Sequence, residues 1–167
     1  MDHFSFLETT AEISITFAGF VSIFLVLARR DGSFPPEFAL TIRSILISSI
    51  GCLCFAALPL VLAALGVAGA ALWRFPSATF VLAFGGLGFY MVTSRRKLPA
   101  TVQGTVFARI AWSLAALTIL ALASNVAGWP LSPNAGVYLL AVWLQLGIAS
   151  VNFLDLIFRG VMGGANT

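Results

Sequence analysis

Five uninterrupted apolar stretches dominate the chain: Leu7–Ala28, Phe38–Leu65, Ser77–Thr93, Thr105–Ala127 and Gly136–Phe158. A helix needs about 20 apolar residues, rising 1.5 Å each, to cross roughly 30 Å of hydrocarbon. Each stretch meets or approaches that length, and together they take up about two-thirds of the 167 residues. An outer-membrane barrel is excluded, because barrel strands alternate in polarity over about 10 residues and these runs do not. The fold class that follows is all-α: a single transmembrane domain over residues 1–167, built as a bundle of five transmembrane helices.

Composition supports the same conclusion. Sixty percent of the residues are hydrophobic and 9% charged, with a mean hydropathy of +1.02. Soluble domains carry about 25% charge, so an ordinary cytosolic domain, a disordered tail and a disulfide-stapled secreted scaffold are all excluded.

Two prolines shape the expected helices. Pro76 suits the first turn of the third span, with Trp73 anchoring its outer end at the headgroups. Pro59, inside the long second span, cannot donate to the carbonyl of Phe55 and should bend the helix.

Charge sets the orientation. With loops alternating sides, Arg29, Arg30, Arg43, Arg95, Arg96, Lys97, Arg109 and Arg159 share one face, opposite Arg74 alone. The positive-inside rule makes the eight-residue face cytoplasmic, with the N-terminus outside and the C-terminus inside. The leader Met1–Glu12 contains Asp2, Glu8 and Glu12 and no basic n-region, so the first helix is expected to stay as an anchor. Trp73, Trp129 and Tyr138 then fall near the outer interface, and Phe34 and Tyr90 near the inner one. The partners expected are the lipid bilayer and anionic headgroups at the cytoplasmic face. Nucleic acid is not expected, because the basic residues sit in short turns without an open face of stacking aromatics.

The two basic turns resemble each other. Arg43 follows Arg30 by thirteen residues and Arg109 follows Arg96 by thirteen, an offset of 66 that also carries Gly19 onto Gly85. This pattern fits a tandem repeat of two helical hairpins plus a fifth helix. It fits equally the likeness that the positive-inside rule imposes on any basic turn.

Ionisable residues within spans are expensive and point to function. Arg43 and Arg109 enter the second and fourth spans within snorkelling reach of the headgroups. Asp155 lies at similar depth in the fifth, four residues before Arg159. With Gln145 and Asn152 on the same helix face as Arg159, the residues Arg43, Arg109, Asn152, Asp155 and Arg159 form a candidate cytoplasmic charge cluster. Such a cluster serves either as a vestibule for an anion or lipid headgroup or as a clamp between three helices.

The first helix carries a stripe of polar and small residues: Glu8, Glu12, Thr16, Gly19 and Ser22 recur at i, i+4, i+8, i+11 and i+14. The stripe could line a pore with acidic side chains at its outer mouth, or form a seam where helix backbones approach closely. Gly85, Gly86 and Gly88 read as a close-crossing site on the third helix. Cys52 and Cys54 point about 200° apart and read as small buried side chains, not as a disulfide.

No enzyme is expected, and no metal or cofactor. His3 is the sole histidine and lies outside the bilayer, Lys97 is the only lysine and lies in a turn, and no two aspartates share a span. The opening FLETTAEISITFAGFVSIF, followed by a basic turn and an arginine early in the next helix, resembles small multi-pass proteins of unknown function from bacterial inner membranes. That resemblance covers the first hairpin and implies an inner (plasma) membrane location without implying an activity. Two functions are consistent with the residues. One is a small oligomeric channel or transporter for an ion or small solute. The other is a non-catalytic accessory or scaffold subunit bound to another membrane protein.

Overall fold

The computed structural model describes residues 3–28, 36–96, 106–130 and 132–163. Five helices account for nearly all of them: α1 (His3–Ala28), α2 (Pro36–Ala64), α3 (Ala70–Arg95), α4 (Val106–Ala127) and α5 (Ala135–Gly163). All five are long and apolar enough to cross a membrane; even α4, with 22 residues, extends to about 33 Å. The arginine-bearing ends of α2, α3 and α4 lie together at what is called here the basic end of the bundle.

The third helix corrects the sequence boundary. It begins at Ala70, not Ser77, with Gly69 preceding it at φ 65°, and it carries Pro76 inside. Trp73 therefore belongs to the helix and packs against the core instead of sitting ahead of it. Arg74 interrupts the apolar run without interrupting the helix, because a long side chain at a helix end reaches out of the hydrocarbon.

The ends of α2, α4 and α5 are fixed by local chemistry. After α2, Val67 N–H donates to Leu62 O and Gly66 N–H to Ala63 O, both at 3.0 Å; Gly66, at φ 84°, occupies the left-handed position of this Schellman cap. Gly128 ends α4 in the same way, at φ 72°. Asn134 caps α5, its side-chain oxygen accepting the Val137 N–H at 3.0 Å.

Packing divides into α1 on α2, α3 on α4, and α5 set against α1, α2 and α4. The fifth helix is thus the hub of the bundle and the most deeply buried of the five, not an appendage. Between apolar helices in lipid, association rests on van der Waals fit and interhelical hydrogen bonds, not on escape from water. Aromatic contacts supply much of that fit away from the basic end, where Phe55 stacks on Phe80 with centroids 3.9 Å apart. Tyr138, three residues past the start of α5, is fully buried in this cluster. Trp129 and Tyr90 are exposed, while Phe34 lies outside the described residues. A second cluster at the basic end joins Val21, Ile42, Ile45 and Leu156.

Candidate functional site

Helix α1 presents two polar faces, and the structure assigns each a side. Leu7, Thr10, Ser14 and Val21 point into the bundle and are buried. Glu8, Glu12, Thr16, Gly19 and Ser22, offset from them around the helix, are all exposed. The stripe is therefore not a packing seam within this chain: a side chain added at Gly19 would meet nothing within 4 Å. The Thr16 hydroxyl donates to Glu12 O at 2.9 Å and Ser22 to Ala18 O at 2.8 Å, which satisfies both without a neighbour.

The residues of the expected charge cluster differ in burial. Asn152 and Asp155 are buried, as is Gln145, whereas Arg43 and Arg109 are exposed. Helical spacing explains the division. Arg43 shares its row on α2 with exposed Ile50, Cys54 and Val61, and Arg109 shares its row on α4 with exposed Val106 and Ser113. Arg43 instead donates to Tyr90 Oη at 2.7 Å, tying α2 to α3 at the basic end. The side chain of Arg159 lies outside the described residues.

The α2–α5 interface holds a ladder of polar contacts. Asn152 donates to Ser44 Oγ at 3.2 Å, the Cys52 thiol to Val142 O at 3.5 Å, and Tyr138 Oη to Phe55 O at 2.6 Å. Gly51 faces Gln145, whose amide nitrogen would lie in ordinary contact, 3.8 Å, with a Cβ placed there. Among the described residues, Gln145 Oε1 and Ser49 Oγ are buried without a hydrogen-bond partner. Both fall near the middle of their spans, where an unsatisfied polar atom is most costly.

Beside this ladder, α2, α3, α4 and α5 line a half-open cavity of about 260 Å³ on the basic-end half of the bundle. Its walls are mainly apolar, with Ser44, Ser48 and Asn152 supplying polar groups. No described helix of this chain crosses closely at the three glycines of α3: a Cβ at Gly85, Gly86 or Gly88 would meet nothing within 4 Å. Gly88 lines the cavity instead, and its missing side chain adds to the space.

Cys52 is buried and Cys54 exposed, so only the first behaves as a core residue. Among the described residues no three His, Cys, Asp or Glu side chains gather as metal ligands.

A polar knot at the opposite end of the bundle had no signal in the sequence. Asn125 is buried; it donates to Ser77 Oγ and accepts from the Asn134 N–H, each at 2.9 Å. One asparagine in an apolar helix does not reveal its partners, so only its cost in lipid could have marked it.

No known protein family, curated protein or solved structure matches the chain.

Proposed function

We propose that this five-helix membrane protein works as a small oligomeric channel or transporter, with the α1 stripe of each copy turned toward a shared axis. The observation that supports this reading is the outward position of Glu8 and Glu12 on a helix apolar enough to cross the membrane. Carboxylates facing lipid are costly, and intramembrane charges characteristically face a bundle interior or a water-filled cavity. Copies related by rotation would bring Glu8 and Glu12 into two acidic rings one helical turn apart, about 6 Å along the axis. Acidic rings concentrate and select cations, so the solute class is a small cation. In this reading the basic end faces the cytoplasm of an inner membrane, with Arg43, Arg96 and Arg109 meeting anionic headgroups.

The same exposed stripe serves the accessory reading if a different membrane protein covers it. Native mass spectrometry from mild detergent separates the two: a closed assembly of identical chains favours the channel, and a stable complex with another protein favours the accessory subunit. Cation flux into vesicles carrying the purified protein then tests transport. Glu12→Gln should lower that flux at least severalfold; flux equal to wild type ends the acidic-ring proposal.

A further inference from the structure

The cavity among α2, α3, α4 and α5 has the size, chemistry and orientation of a ligand site. Its volume of about 260 Å³ exceeds the roughly 150 Å³ that accommodates benzene in an apolar protein cavity. Away from Ser44, Ser48 and Asn152 its walls are apolar and suit water poorly, since a buried water needs 2–4 polar partners. Among the described residues no charged one lines it, so a charged ligand would lose its hydration without compensation from them.

The polar groups are grouped, not scattered. Asn152 and Ser48 are each 4% exposed, and both line the cavity with Ser44. Asn152 gives one amide hydrogen to Ser44 Oγ at 3.2 Å, which leaves its carbonyl oxygen and second hydrogen for another partner. Ser48, like Ser49 beside it, also differs from the hydroxyls of the other helices. Ser14, Thr118 and Ser150 turn their hydroxyls back onto their own helices, and among the described residues Ser48 makes no such bond. The apolar portion runs along α4 from Ala111 to Ile119, about 12 Å at helical rise, past Phe84 and Trp112.

We propose that this cavity binds one neutral amphiphile of roughly ten non-hydrogen atoms, a medium-chain alcohol being the chemical type. Its hydroxyl sits among Asn152, Ser44 and Ser48, and its chain lies against Phe84, Trp112 and Ile119. The proposal rests on the cavity alone and stands whether or not α1 lines a pore.

The experiment uses the full chain in phosphatidylcholine nanodiscs, with Trp73→Phe, Trp129→Phe and Trp143→Phe leaving Trp112 as the sole fluorophore. The probe is 10-bromodecan-1-ol, whose bromine quenches a tryptophan that it touches. Saturable quenching is expected, and Gly88→Leu, which fills the cavity, should abolish it. Ser48→Ala and Asn152→Leu should each weaken binding about fivefold, the equilibrium worth of one ordinary hydrogen bond. If Asn152→Leu fails to fold, Ser48→Ala carries this test alone. 1-Bromodecane, which lacks the hydroxyl, should bind at least fivefold more weakly. Three results overturn the proposal: quenching that rises without saturating and ignores Gly88→Leu; equal binding of the two probes; or saturating quenching by chain-brominated phosphatidylcholine alone, which would make the occupant a lipid tail.

Discussion

Tyr138 donates its phenol hydrogen to the carbonyl of Phe55 at 2.6 Å, the carbonyl that Pro59, four residues on, leaves without a helical donor. A defect within α2 is thus repaired from α5, in a place where no water is available to do it. Tyr138→Phe should destabilise the folded bundle by about 1 kcal/mol, measured by detergent-induced unfolding. The sharper expectation is a coupling. Pro59→Ala restores an N–H to the Phe55 carbonyl, so Tyr138→Phe should cost less in that background. Full additivity of the two substitutions would contradict the repair.

Asn125 joins α4 to α3 through Ser77 and to the start of α5 through the Asn134 backbone. Asn125→Ala breaks both links and leaves the Asn134 N–H short of a partner. A loss of about 2 kcal/mol is expected in the same unfolding assay, several times the effect of Ser77→Ala if the backbone contact is the larger part.

Gly128 combines two constraints. Its φ is 72°, and an added Cβ would stand 3.1 Å from the Arg74 guanidinium. Gly128→Ala should cost about 1–2 kcal/mol from backbone conformation alone. Arg74 meets that Cβ only with the end of a flexible side chain, so adding Arg74→Ala should recover little of the loss; a full return of the unfolding midpoint would place the cost in the contact.

Gly19→Leu separates folding from assembly. A side chain there meets nothing within its own chain, so the unfolding midpoint of the protomer should hold or rise slightly with better helix propensity. If the α1 stripe lies between chains, the same substitution should shift native mass spectra toward smaller assemblies. An unchanged distribution would place the assembly surface elsewhere.

The five helices were legible because continuous apolar runs of this length have few other uses, and the missing donor at Pro59 was legible because proline's lack of an N–H is a local property. Boundaries were less so. Arg74 ended the apparent third span early, although the helix continues through it to Gly69. Periodicity revealed the Glu8–Ser22 stripe but not its side, since Thr10 and Ser14 give α1 a second polar face at similar spacing. The core-facing choice depends on α2 and α5, which no window on α1 contains. The cavity was illegible for the same reason: it is a property of four helices at once, and Gly88 contributes to it only by what it lacks.

The hub position of α5 imposes a timetable on biogenesis. The α1–α2 and α3–α4 pairs meet only thinly, through α2 and α3, and the segment that wedges them together leaves the ribosome after all four of them. Until it inserts, the earlier spans wait in the bilayer as two loosely tethered hairpins. Quality-control proteases that survey the membrane would therefore meet an open substrate in any chain stopped short of Tyr138.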